Sequence, residues 1–453
     1  MAVKSITRKG AETAQPLGPA KESPLIQQWL ARDAEVISPS YTRSYPLVVD
    51  HGRGAELWDI EGRRYIDFNA GIAVVSTGHA HPEVVRAIQG QAARFIHMSG
   101  TDFYYPMEIE LAEKLDQLAP GAERHQTFLS NSGAEAIEAA FKLARHHSGR
   151  PRMLAFLGGF HGRSMGALSL TASKPIQREG FAPLVPGVTH APFAYCYRCP
   201  LRLEYPACDI ACVRYIEQEL FQHSVPPREV AAIVVEPILG EGGYVVPPPE
   251  FHIRLQELAG KYGILYVADE VQTGIGRTGK MFASEHWGVE PDILCLAKGI
   301  ASGMPLGATT ARRSVMTWGP GAHGNTFGGN PISCAAALVT LRLVEQQYMA
   351  NAARLGEVAL ERLRALQRRV PQMGDVRGLG LMIGVEMVRN PATREPAPAL
   401  RDQIVQEAFA RGLLILGAGA STLRFSPPLA ISRTLLDEGL DILEESIMAA
   451  LTV

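Results

Sequence analysis

The chain lacks a surplus of charge of either sign. Its 44 Lys and Arg stand against 46 Asp and Glu, a formal net charge of −2. A nucleic-acid binder carries a basic surplus or stripe, so that function class has no electrostatic support. Also lacking is any apolar run near the length that spans a bilayer. The opening stretch MAVKSITRKGAETAQPLGPAKESP has basic residues but no apolar core behind them. It does not read as a secretory signal, and the cytoplasm is the expected location. No internal repeat is visible. Cysteine is scarce, 6 in 453 residues. Cys295 and Cys334 lie alone among apolar neighbours and read as small core residues.

What is present fits a globular protein of more than one domain. Hydrophobic residues make up 46% and charged residues 20%, and 453 residues exceed one ordinary core. Residues 1–24 are expected to form a flexible arm. Around Gly54 to Phe68, apolar and polar positions alternate about an EG turn, which predicts a β-hairpin. Helical periodicity follows over Glu83–Gln91 and Met107–Leu118. Then come short apolar runs at Thr127–Leu129, Met153–Leu157, Ala231–Val235, Ile264–Ala268 and Ile293–Ala297, several separated by helical stretches. That alternation predicts an α/β fold with a mostly parallel sheet. Beyond Pro331 a long helical stretch reaches about Gln367. It leads into an alternating strand pattern (VRGLGLMIGVEMV), a helix from Ala399, and a tail with a short strand and a last helix. The expected organisation is a segment 25–82 packing with the small domain, a large domain 83–337 and a smaller α/β domain 338–453.

Ligands in parallel sheets sit beyond the carboxyl ends of the strands, so the residues after each run carry the interest. Ser132, Gly133 and Ala134 open the helix AEAIEAAFKLAR. Free N–H groups and a glycine there form a cup for one phosphate, although an ordinary N-cap looks the same. After the second run, GGFHGR surrounds Phe160 and His161 with small residues and adds Arg163, a fork suited to a carboxylate. A glycine turn with a core Phe is the structural alternative. After the fourth run stand Asp269, Val271 and Gln272; a buried Asp needs a partner, and a protonated pyridine nitrogen is one. After the fifth stands Lys298, where burial lowers the amine's pKa and frees it as a Schiff-base nucleophile. Structural ion pairs would explain either residue singly. Together the set supplies what pyridoxal 5′-phosphate (PLP) requires for its phosphate, ring face, ring nitrogen and aldehyde.

From about Pro39 onward the chain resembles the class III (ω-amino acid) aminotransferases. The matching stretches are AGIAVVSTGHAHP, FLSNSGAEAIEAAFKLAR, GGFHGRS, VVEPILGEGG, VADEVQTGIGRTGKMFASEHWGVEPDILCLAKGIASGMPLGA and HGNTFGGNP. The look is nearest to 4-aminobutyrate, then ornithine and acetylornithine, aminotransferases. The resemblance implies a fold type I PLP architecture, with a seven-stranded-type sheet between helices. It implies that Lys298 bonds covalently to PLP, that Asp269 pairs with the ring nitrogen, and that Val271 and Phe160 cover the two ring faces. Gln272 would bond the ring's 3-oxygen, and Gly133 and Ala134 the phosphate; family members often have Ser where this chain has Ala134. His161 and Glu236 would support the cofactor. Thr326 would reach the phosphate held by a partner subunit, implying a homodimer with shared sites. Arg163 would hold one substrate carboxylate. Arg424 would hold another, with Glu241 neutralising it when no α-carboxylate is present. Ile72 stands where 4-aminobutyrate enzymes carry Ile and ornithine enzymes often carry Tyr.

The implied reaction moves the amino group of an ω-amino acid to 2-oxoglutarate by a ping-pong route, with Lys298 shuttling the proton. A PLP racemase or epimerase on the same scaffold is the alternative. Two further motifs need separate readings. Gly274-Ile275-Gly276-Arg277-Thr278-Gly279 matches G-x-G-x-x-G, but Met281 follows Lys280 and no helix opens directly, which argues against a nucleotide site. Gly378-Leu379-Gly380 reads as a turn with close backbone contact. The insert 195–215 holds Cys196, Cys199, Cys208 and Cys212. Zinc binding, disulfides and plain packing are equally compatible with that spacing; no metal is assigned to the chemistry.

Overall fold

The computed structural model describes residues 23–452. Of the expected arm, residues 1–22 lie outside the described residues; Pro24 already begins a helix, Pro24–Val36, behind its cap Ser23. Among the described residues no helix is long and apolar enough to cross a membrane.

A seven-stranded sheet organises the middle of the chain. Its spatial order is His125–Ser130, Gly307–Arg312, Ile293–Leu296, Leu265–Asp269, Val230–Val235, Arg152–Phe156, Val188–Ala191. Gly307–Arg312 runs antiparallel to both neighbours, and the other pairs are parallel. Every residue of Val230–Val235 (VAAIVV) is buried, as expected where helices cover both faces. Val188–Ala191 and Gly307–Arg312 do not stand out as apolar runs. The first (VTHA) is a half-buried edge strand. The second (GATTAR) is buried, but with alanines and threonines rather than large apolar side chains. The helix Gly133–Ser148 crosses one face. Ser132 caps it by accepting from Glu135 N at 3.2 Å, and Gly149 ends it in the left-handed region (φ 68°).

Two smaller sheets flank this core. The predicted hairpin is present as Glu56–Asp59 and Arg64–Asp67, extended by Val49–Arg53 on one side. On the other side Leu413–Leu414 adds in parallel, so the N-terminal strands are stitched to the C-terminal part of the chain. The second sheet is antiparallel in the order Met373–Leu379, Met382–Asn390, Thr422–Phe425, Leu416–Ala418. The helical stretch after Pro331 runs to Gln367, as expected, with one irregularity. Pro331–Leu343 and Met349–Gln367 are joined by a wide π-type turn at Val344–Tyr348.

The G-x-G-x-x-G loop serves this packing. A Cβ on Gly276 would meet Val344 Cγ1 at 2.6 Å, and one on Gly279 would meet Ala353 Cβ at 2.9 Å. Between them, Arg277 is buried, and its Nη1 donates to the carbonyls of Leu381 and Pro427 at 3.1 and 2.5 Å. Gly380 (φ 53°) sits against the Arg277–Gly279 backbone. The glycines let a large-sheet loop and a small-sheet hairpin touch through backbone.

Candidate active site

The carboxyl ends of the strands open on one cavity of about 440 Å³, within the range of small-molecule sites. Its wall includes Ser132, Gly133, Ala134, Phe160, His161, Arg163, Glu236, Asp269, Val271, Gln272 and Lys298. Sequence reading missed Val74 and the run Gly303–Leu306, which also line it. GMPLG has no charged or nucleophilic side chain to draw attention.

Asp269 ends its strand buried, 3% exposed. Its Oδ2 lies 2.7 Å from Nδ1 of buried His161, and its Oδ1 accepts from Val271 N at 3.1 Å. Burial alone would lower His161, but the hydrogen bond to Asp269 and the charges of Asp269 and Glu236 raise it above its usual value. His161 is in turn fixed by its backbone N–H, which donates to Thr171 Oγ1 at 2.9 Å. Glu236 accepts from Phe160 N at 2.8 Å and Gly240 N at 2.9 Å. Burial pushes its carboxyl up to about 7, with His161 opposing.

Lys298 follows Ile293–Leu296 with φ 45°, a left-handed conformation that a non-glycine residue holds at some cost. One side of it faces the cavity. Burial lowers its amine below the usual lysine value; Arg424 acts in the same direction, while the carboxylates of Glu241, Glu236 and Asp269 oppose it.

Three features fit a flat, phosphorylated ring. Gln272, on the cavity wall, has a buried Oε1 with no hydrogen-bond partner among the described residues, which leaves it unsatisfied. Gly133 is packed so closely that a Cβ would lie 2.8 Å from Val271 Cγ1. Asp269 keeps lone pairs that His161 and Val271 do not use.

A profile of the aminotransferase class-III family matches residues 37–447. The chain belongs to this family. This aminotransferase is 38% identical over 426 residues to a probable 4-aminobutyrate aminotransferase of Bacillus subtilis, covering 93% of this chain and 98% of the relative. It is also 38% identical to an alanine/serine racemase of Pyrococcus horikoshii, over 95% of this chain and 92% of the relative. The solved PLP-bound amine transaminase from an uncultivated Pseudomonas species superposes with a TM-score of 0.83 at 34% identity, covering 91% of this chain and 97% of the other. The aminotransferase is thus a PLP enzyme of fold type I.

Some expected site residues stand apart from the cavity. Arg424 is buried and ion-paired with Glu241. Neither lines the cavity wall, although both charges act on Lys298. Burial opposes ionisation of Glu241, but Arg424 outweighs it and holds the carboxyl below its usual value. Arg424 Nε has no partner among the described residues. Ile72 does not line the cavity either. It lies in a turn with φ 68° and is 40% exposed, while Val74 lines the wall. Thr326 is exposed on a loop anchored by Asn325 Nδ2, which donates to Leu129 O at 3.0 Å.

All six cysteines are free thiols. Cys196, Cys199, Cys208 and Cys212 line one small cavity of about 20 Å³. Burial pushes the thiols of Cys196 and Cys212 up to about 11 and about 12. Among the described residues no three His, Cys, Asp or Glu side chains form a group able to hold a metal. The four thiols share a cavity without converging on one point.

Proposed function

We propose that the enzyme transfers the amino group of an ω-amino acid, of the 4-aminobutyrate or ornithine type, to 2-oxoglutarate by a ping-pong route. The observation that carries this reading is the Glu241–Arg424 ion pair, with its arginine buried and both charges acting on Lys298. A donor without an α-carboxylate leaves that pair closed, its arginine already neutralised. An α-oxo acid brings a carboxylate that can replace Glu241 on Arg424. The 4-aminobutyrate aminotransferase relative supports the same reading.

In this reading Gly133 and Ala134 hold the PLP phosphate through backbone N–H groups, with Ser132 capping the helix behind them. Val271 and Phe160 flank the ring, Gln272 bonds its 3-oxygen and Asp269 its nitrogen. His161 and Glu236 fix Asp269 and the Phe160 backbone. Bound there, PLP supplies an electron sink for the carbon that bears the donor's nitrogen. Lys298, its amine lowered below the usual lysine value by burial, takes the proton from that carbon at Nζ and holds it for redelivery. Arg163, exposed at the cavity mouth with its guanidinium 5.9 Å from the Phe160 ring centre, receives the distal carboxylate. Thr326 contributes to the phosphate site of a second copy, which makes the enzyme a homodimer.

The racemase relative carries a second reading: after Nζ takes the proton, the same carbon is reprotonated on its opposite face by a donor on that side. A donor screen with 2-oxoglutarate, scored by glutamate formed, tests the first. Glutamate from 4-aminobutyrate, 5-aminovalerate or ornithine supports it. An L-amino acid that loses optical rotation without any oxo acid replaces it with the second.

A further inference from the structure

Glu386 lies in Met382–Asn390, 1% exposed, far along the chain from any residue read as functional. Its carboxylate accepts from Arg377 Nη2 at 2.8 Å, Thr422 Oγ1 at 2.8 Å, Ser421 Oγ at 2.9 Å, Tyr195 OH at 2.6 Å and Arg198 Nη2 at 3.1 Å. Burial opposes the charge, yet Arg377 and the hydrogen bonds hold the carboxyl down at about 2. Arg377 then grips the loop that follows Glu241. Its Nη2 donates to Gly243 O at 2.6 Å and its Nε to Tyr244 O at 3.0 Å. Glu241 O itself accepts from Gly419 N at 2.9 Å.

Both members of the Glu241–Arg424 pair are therefore two residues from a contact of this cluster. Gly243 follows Glu241 and is held by Arg377; Thr422 precedes Arg424 on the strand Thr422–Phe425 and is held by Glu386. The far end of the cluster is the cysteine insert. Tyr195 and Arg198 immediately precede Cys196 and Cys199, which line the thiol cavity. Arg394 Nη1 donates to Tyr197 O at 2.8 Å and closes the insert onto the small sheet.

We propose that Tyr195, Arg198, Glu386 and Arg377 are positioning residues that set where Glu241 stands relative to Arg424, and so tune the site between donors without and with an α-carboxylate. The proposal rests on the Glu241–Arg424 reading given above. A buried charge cluster also has a purely structural explanation, because its removal leaves uncompensated charge. A structural role lowers every activity together; a positioning role changes a ratio.

The test uses purified holoenzyme and single-turnover half-reactions with 4-aminobutyrate and with L-glutamate, followed by cofactor absorbance. In the Tyr195→Phe, Arg198→Gln double variant the 4-aminobutyrate rate is expected to fall about tenfold, the worth of a hydrogen bond to a charged group, and the L-glutamate rate to change less than about twofold. Arg198→Lys should recover part of the loss. Tyr195→Phe alone removes only a hydroxyl, so it keeps the test open if the double variant does not fold. Equal loss with both donors, or no change in their ratio, overturns the proposal. Glu241→Gln separates the two levels. If it shifts the ratio while the insert variants do not, the positioning claim alone fails. If it leaves the ratio unchanged, or wild type reacts with none of 4-aminobutyrate, 5-aminovalerate and ornithine, the underlying reading fails and the proposal falls with it.

Discussion

His161 Nδ1 sits 2.7 Å from Asp269 Oδ2, with both side chains buried at the floor of the cavity. The acid that ends the fourth strand run is therefore paired from within the protein and still has capacity for a second cation. Asp269→Asn removes the charge and leaves the shape. Activity is expected to fall by at least about a hundredfold. His161 is raised in the wild type by Asp269 against burial, so in the variant burial prevails and its titration should drop below the usual histidine value. NMR titration of the imidazole checks this. An unchanged His161 in Asp269→Asn would contradict the coupling.

Gly133 has no room for a side chain. A Cβ there would stand 2.8 Å from Val271 Cγ1 and 3.1 Å from Cγ2, and Val271 would have to move into the cavity. Overpacking of this kind costs about 1–3 kcal/mol, so Gly133→Ala should weaken PLP affinity about tenfold or more. Adding Val271→Ala should restore much of it, a coupling that a cofactor titration of the single and double variants reads directly. Additive effects would mean that Val271 is not the obstacle.

Glu236 gives a pH dependence with a definite sign. Its carboxyl is raised from 4.5 to about 7 in the folded chain. Between those values the unfolded chain releases the proton while the folded chain keeps it, so this group's contribution to stability falls as pH rises through that window. Below 4.5 and above about 7 its contribution is flat. Glu236→Gln removes the titration. The melting temperature of the variant relative to wild type should rise between pH 5 and 7.5, whatever constant offset the amide introduces. A difference that stays level across that range contradicts the raised carboxyl.

Much of this was legible in the sequence because it is written in short-range pattern. The runs ending at Leu129, Val235 and Ala268 stand out by periodicity, and the polar residues after them reach one wall because a parallel sheet aligns strand ends. Gly307–Arg312 escaped notice because its alanines and threonines hold a buried place without bulk. Glu386 and Arg377 escaped for another reason. Each sits in an alternating strand pattern where charge reads as the solvent face, and only the docking of the insert and of the Gly243 loop buries them. Ile72 was expected on the cavity wall from its place in a motif. It lies instead in a left-handed turn at Gly71–Ile72, 40% exposed, a backbone conformation that residue identity does not reveal. The thiols of the insert keep a spacing that suits zinc, yet do not converge.

The central claim is that Lys298, its amine lowered below the usual lysine value by burial just after Ile293–Leu296, is the residue that bonds to PLP. Borohydride reduction of the yellow holoenzyme, followed by peptide mass mapping, tests it most directly. The account predicts bleaching of the visible colour and a phosphopyridoxyl adduct on Lys298 alone. An adduct on another lysine, or full activity in Lys298→Ala, would contradict it.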